Sequence, residues 1–282
     1  MTRPVYSGKV IEDMRYTKIT SAANQQIKDI LQIREKRAKF RHTAFLIEGT
    51  HLVEMALNAQ VRIKEVFATE EFINAKEHQG MFKKITAPVF EVSGQILKKI
   101  TDTETPQGIV AVAGYELGTL NTLSFKAAPL LVVLDAIQDP GNLGTIIRTA
   151  DAAGADAVIL MPGSCDAFMP KVIRATAGSI FNLPVVYAEP DTLSDWLGEK
   201  KISLSVTAAD AGKTVFETDL RGGIAVAFGN EAHGVSDQLR RAADLSFSIP
   251  ILGSAESLNV ATSAAICLYE VVRQRKGFYR QR

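Results

Sequence analysis

Short apolar runs and amphipathic stretches take turns along the chain, and the switching predicts its elements. In the first half, "NQQIKDILQIREKRAKFRH" opens with helical spacing, with Ile27, Ile30, Leu31 and Ile33 on one stripe. "AFLIEG" then predicts a strand ending at Gly49, and "THLVEMALNA" a helix that Thr50 is placed to cap. "IKEVFAT" reads as a strand, "EEFINAKEHQGMFKKI" as a helix, "PVFEVS" as a strand, "GQILKKITD" as a short helix and "GIVAVAGY" as a strand. The polar stretch "ELGTLNTLSFKAAP" interrupts the pattern. Beyond it the alternation restarts, with strands expected at 130–136, 156–160, 184–187, 202–207, 224–228 and 245–250. Helices are expected at 143–153, 169–177, 191–198, 236–242 and 257–275. Runs such as "IAVAF" are the near-continuous apolar strands of a parallel sheet covered on both faces. The expectation is an α/β protein with a basic N-terminal extension and helix (1–42), a small α/β domain (43–118), a linker (119–128) and a larger parallel-sheet domain (129–282).

Composition changes this picture in two places. Net charge is +1, but residues 1–42 carry +6 and the remainder −5, and the last ten residues hold five basic groups and no acid. Basic ends on a near-neutral body suit a polyanionic partner, or equally a solvated helix face and tail. Two cysteines, Cys165 and Cys267, give no disulfide framework and suit a reducing cytoplasm. No apolar run has the length of a membrane span, and the N-terminus lacks a secretory pattern, so a cytoplasmic location with no membrane partner is expected.

Three strand ends in the second domain lead into loops of unusual composition. "DPGNLGTIIRTADAAG" places Gly141 and Gly144 where the backbone can turn sharply, offers Asn142 as a hydrogen-bonding group and carries Arg148 on the first or second helical turn. An arginine there serves a surface ion pair just as readily. "VAFGNEAHGVSDQL" brackets Glu231 between Gly229 and Gly234, which fits either a ligand contact or a plain turn before a Ser236 cap. Its His233 is a candidate base, but no second histidine or cysteine stands at metal-ligand spacing, so no metal is expected. "FSIPILGSAESLNVATSAAICLYEVVRQR" enters a helix rich in small residues through the polar cluster Ser254, Glu256, Ser257 and Asn259. A dinucleotide-binding enzyme is excluded by the lack of G-x-G-x-x-G after a strand.

Taken together, these loops resemble the SpoU (TrmH-like) branch of the SPOUT RNA methyltransferases. The first family motif is met by Asn142, Arg148 and Gly154, and the second, G-x-E-x-x-G, by Gly229, Glu231 and Gly234. The third is met by Ile249, Pro250, Ser257, Leu258, Asn259 and Val260, and the likeness covers roughly residues 128–275. "FLIEGTHLVEMAL" and "TPQGIVAVA" resemble the family's accessory substrate-binding domain, which has a ribosomal-protein-like α/β fold.

The resemblance implies a C-terminal parallel-sheet domain tied in a deep trefoil knot, which ordinary connection rules would not have proposed. It implies a homodimer and S-adenosylmethionine held by main-chain groups at Thr207, Ala208, Gly229, Ile249 and Leu258. It further implies transfer of a methyl group to a ribose 2′-hydroxyl in structured RNA, with 23S-type ribosomal RNA the first expectation. Transfer RNA and a catalytically silent RNA-binding protein of the same fold are the alternatives. The family arginine, here Arg148, is assigned to activating the hydroxyl. Because guanidinium keeps its proton in proteins, a phosphate clamp and electrostatic activator is the better description. Asn142, Glu231, Ser257 and Asn259 would shape the site, and Arg34, Lys36, Arg37, Lys39 and Arg41 would grip RNA phosphates.

Overall fold

The first unit is built on a mixed sheet whose strands are four to six residues long, with Ala44–Glu48 and Val89–Val92 buried throughout and Tyr16–Ile19 and Ile63–Ala68 along half their length. A computed structural model describes residues 16–35, 43–115, 118–125 and 127–276. In it the chain divides into one unit of residues 1–116 with 168–174 and another of 117–167 with 175–282. The first contains β1 (Tyr16–Ile19), α1 (Gln25–Arg34), β2 (Ala44–Glu48), α2 (Thr50–Asn58), β3 (Ile63–Ala68), α3 (Glu70–Asn74), α4 (Gln79–Phe82), β4 (Val89–Val92), α5 (Gly94–Ile100) and β5 (Ile109–Gly114). Strand order is β1-β4-β3-β5-β2, with β1, β4 and β3 parallel and β5 antiparallel to both of its neighbours.

Four details differ from the sequence reading. The unit starts ahead of residue 43: β1 pairs with β4 in register from Tyr16 with Val89 to Ile19 with Val92. Ile27, Ile30 and Ile33 of α1 enter the same core as Leu46, Phe67 and Leu97. Thr50 does not cap α2. Gly49 occupies the cap at φ 92°, and the Thr50 N–H donates to Gln107 Oε1 at 3.1 Å. The single helix expected over "EEFINAKEHQGMFKKI" breaks at Ala75, which is extended (ψ 127°), so that Phe72 and Ile73 before the break and Met81 and Phe82 after it all reach the interior. Finally, the Arg34 guanidinium donates to the carbonyls of Lys99 (2.8 Å) and Thr101 (3.3 Å), closing the C-terminal end of α5.

The second unit holds β6 (Leu130–Leu134), α6 (Pro140–Ala152), β7 (Ala157–Leu160), β8 (Val185–Tyr187), α8 (Pro190–Lys200), β9 (Ser203–Thr207), β10 (Ile224–Phe228), α9 (Asp237–Ala242), β11 (Leu245–Phe247) and α10 (Val260–Lys276), while α7 (Pro170–Thr176) straddles the division. The sheet runs β11-β9-β10-β6-β7-β8 and every pair is parallel. All five residues of β6 and of β10 are buried, as strands covered on both faces must be. β11 ends at Phe247, short of the expected residue 250, because Ser248 turns to pair with Thr214 and Pro250 has no N–H for a ladder. α10 lies against α6, and its small residues Ala261 and Ala264 are buried. No helix of the described residues is long and apolar enough to cross a membrane.

Candidate active site

Register brings the three loops together. Leu134 of β6 pairs with Phe228 of β10, Ala227 with Val206 of β9, and Thr207 with Phe247 of β11. The chain therefore leaves the sheet at nearly the same level in all four places. From β6 it turns toward β7 on one side, and from β10 toward β11 on the other. That reversal between β6 and β10 opens a crevice at the carboxyl ends of the strands, where ligands of open α/β sheets bind.

A cavity of about 640 Å3 occupies this end of the sheet, within the usual size range of small-molecule sites. Thr207, Ala208, Gly229, Ile249 and Leu258 all line it, as do Glu231, Ser257 and Asn259. Its charged lining, among the described residues, is two carboxylates, Glu231 and Glu256, with no Lys, Arg or His. Such walls favour a cation and disfavour a pyrophosphate. Ile249 and Leu258 are half-buried and make no main-chain hydrogen bonds within the described chain, so their amides and carbonyls remain to meet a ligand's edge. The groups of Ala208 are already engaged: its N–H donates to Phe247 O at 3.0 Å and its carbonyl accepts from Ala211 at 3.3 Å.

One side of the rim is a chain of three polar side chains drawn from distant parts of the sequence. Asn142 Nδ2 donates to Glu231 Oε1 at 2.8 Å, and Asn259 Nδ2 donates to Asn142 Oδ1 at 3.0 Å. Each member is held by its own element. α6 begins at Pro140, with the Asp139 carboxylate accepting from the Asn142 N–H at 2.8 Å, so Asn142 sits in the first helical turn and not in a loop. Asn259 caps α10, its Oδ1 accepting from Ala261 N (2.9 Å) and Thr262 N (3.3 Å). Ser257 and Leu258 thus precede the helix expected to contain them, which leaves them free to face the cavity.

Arg148 stands apart. With α6 starting at Pro140 it lies on the third turn, later than expected. Six residues separate it from Asn142, about 9 Å along the axis and about 120° around it. It is exposed, does not line the cavity and makes no hydrogen bond or ion pair among the described residues. His233 is also exposed and outside the lining. Burial holds the Cys165 thiol up at about 11, with Asp139, Asp166 and Glu231 adding to the shift, so it is no nucleophile at neutral pH. Among the described residues no His/Cys/Asp/Glu group could hold a metal ion. Lys36, Arg37, Lys39 and Arg41 lie outside the described residues.

A cavity that favours a cation, next to a rim that offers amide and carboxylate groups to one hydroxyl, suits an enzyme whose donor is a sulfonium. Fold and site together define a ligand-binding parallel α/β protein whose cavity suits a cationic donor such as a sulfonium. Comparison with known proteins narrows the class. Residues 129–269 match the model of the SpoU rRNA Methylase family, and the chain belongs to that family. Residues 24–111 match the MRM3-like substrate binding domain. Among curated relatives, the 23S rRNA (guanosine(2553)-2′-O)-methyltransferase RlmP of Bacillus subtilis (strain 168) is 39% identical, over 90% of this chain and 98% of the relative. The 23S rRNA (uridine(2479)-2′-O)-methyltransferase of Streptomyces viridochromogenes is 31% identical over 92% of each chain. The solved SpoU methyltransferase AviRb from Streptomyces viridochromogenes, in complex with AdoMet, superposes with a TM-score of 0.84 at 29% identity, over 90% of this chain and 98% of that one.

Proposed function

We propose that this protein methylates a ribose 2′-hydroxyl in 23S-type ribosomal RNA, with S-adenosylmethionine as donor. The observation that carries the reading is the Asn259–Asn142–Glu231 chain at the rim of a cavity with carboxylate charge and no cation. The donor supplies an electrophilic methyl on a sulfonium, and the residues named earlier for its binding, Thr207, Ala208, Gly229, Ile249 and Leu258, would hold it through the cavity wall.

A ribose hydroxyl is a weak nucleophile at neutral pH, so its proton must leave as the oxygen attacks. The task of the rim is to fix that oxygen in line with the methyl, and positioning of this kind supplies much of the rate. Asn142, held from both sides, and Glu231 offer one donor–acceptor pair to the ribose, with Ser257 and Asn259 next to them. Arg148 acts as phosphate clamp and electrostatic activator. Its place outside the cavity supports a homodimer in which each site draws Arg148 from the partner subunit. The trefoil knot and a cytoplasmic setting belong to the same reading. The basic segment containing Lys36, Arg37, Lys39 and Arg41 would grip RNA, with Arg34 bracing α5 beside it.

The test is methyl transfer from labelled donor to purified 23S ribosomal RNA and to transfer RNA, comparing wild type with Arg148→Ala. Label in a 2′-O-methylated nucleotide of 23S RNA, abolished by the substitution, is expected. Label in transfer RNA alone would move the substrate, and no donor binding would leave an RNA-binding protein.

A further inference from the structure

We propose that Asn230 is a positioning residue for the methyl transfer, acting through Glu231. The inference rests on the reading of Glu231 given above. Asn230 is half-buried between buried Gly229 and exposed Glu231, and its polar groups are engaged in three directions. Its Oδ1 accepts from Ala232 N at 2.9 Å and His233 N at 3.3 Å, and its main-chain carbonyl accepts from Gly234 N at 2.8 Å. Its Nδ2 donates across to the carbonyl of Ala136 at 3.0 Å, in the segment that follows β6. Both Oδ1 lone pairs are therefore committed to the loop, so although Asn230 lines the cavity its acceptor side is not available to a ligand.

The receiving carbonyl is itself aimed. Ala136 adopts the left-handed region at φ 56°, a costly conformation for a side chain with a Cβ, which persists only where its surroundings impose it. Here they do: the carboxylate of buried Asp135 accepts from Ser236 N at 2.7 Å. On the other side, Ile137 N donates to Ser164 Oγ at 3.1 Å. The Asn230–Ala136 bond thus ties the glycine-bracketed loop to the strand end that leads into α6, which carries Asn142. One residue further on, Glu231 meets Asn142 at 2.8 Å. Strain at Ala136 and the cross-loop bond together fix the distance between the two groups that orient the hydroxyl.

Asn230→Asp removes the cross-loop bond while keeping the acceptors for Ala232 and His233, and Asn230→Ala, which adds no carboxylate beside Glu231, controls for charge repulsion. Asn230→Ala removes all the side-chain bonds. Each is made in the wild-type and Glu231→Ala backgrounds, with melting curves to establish folding. kcat is measured at saturating RNA and donor, and donor Kd by calorimetry. The expected result is a kcat loss of about tenfold or more for Asn230→Asp with donor Kd within about threefold, and almost no further kcat loss when Glu231 is already alanine. An equal loss in both backgrounds, a kcat within about threefold of wild type, or a loss confined to donor Kd would overturn the proposal. If Asn230→Ala does not fold, Asn230→Asp decides alone. A silent Glu231→Ala would overturn the reading of Glu231 and this proposal together, whereas an impaired Glu231→Ala with additive Asn230→Asp overturns this proposal only.

Discussion

Replacing Gly229 by alanine adds one methyl group at the tightest backbone crossing of the site. An added Cβ would lie 2.0 Å from the carbonyl carbon of Gly234, 2.1 Å from Val235 N and 2.2 Å from Gly234 O, all main-chain atoms with no rotamer to adopt. Ordinary carbon contacts begin at about 3.5 Å, so the two arms of the loop must separate by about 1.5 Å. Overpacking of this kind costs about 1–3 kcal/mol, which lowers the melting temperature of a unit this size by about 2–12 °C. The separation also moves Glu231 relative to Asn142, and because a displaced Glu231 can lose no more than an absent one, kcat should fall by up to about tenfold. The assay is kcat for methyl transfer at a temperature well below both melting points, with Gly222→Ala as control because nothing lies within 4 Å of a Cβ at Gly222. A Gly229→Ala protein with wild-type melting and wild-type kcat would refute the steric reasoning. A large loss in Gly222→Ala would show that the assay reports general damage.

Glu231→Ala and Asn142→Ala each break the 2.8 Å rim bond and are expected to lower kcat by about tenfold, discounted from a buried charged bond because Glu231 is exposed to water. The double variant, assayed by single turnover, should lose little more than either single one. Arg148→Ala, expected to be inactive, and Asn142→Ala, expected to be about tenfold impaired, should when unfolded and refolded together exceed the mean activity of the two separate proteins several-fold; activity equal to that mean would show that each site draws Arg148 from its own chain. Glu270, 4% exposed, is held below the ordinary carboxylate range by its hydrogen bonds from Arg273 and from Gln274. Its contribution to stability is therefore present above about pH 4.5 and lost as pH falls through the lower folded value, and Glu270→Gln should flatten that part of an acid-unfolding curve.

Much of this architecture was legible because apolar runs in the second unit are long and separated by clear turns. β10, Ile224–Phe228, matches the run "IAVAF" residue for residue. The errors have local causes. "DPGNLG" looked like a loop because two glycines outweighed a sharper signal: an aspartate followed by proline is an N-cap and first helical residue. Reading it that way would have placed Asn142 in the first turn and Arg148 on the third. β1 was missed because four residues at a sheet edge, with only Tyr16 and Ile19 buried, carry almost no periodicity. The break at Ala75 answers to two pairs of side chains seeking the core, which no local preference announces. The rim is a tertiary object. Glu231 and Asn259 lie 89 and 117 residues beyond Asn142, so only motif resemblance could group them in the sequence, and strand register brings them into contact.

The central claim is tested most directly by mapping 2′-O-methylation at nucleotide resolution across the ribosomal and transfer RNA of cells with and without this protein, the latter also carrying Arg148→Ala. One ribose methylation in 23S ribosomal RNA should disappear on deletion, return with the wild-type protein and stay absent with Arg148→Ala. Unchanged 23S methylation across all strains, or a lost site restored fully by Arg148→Ala, would contradict it.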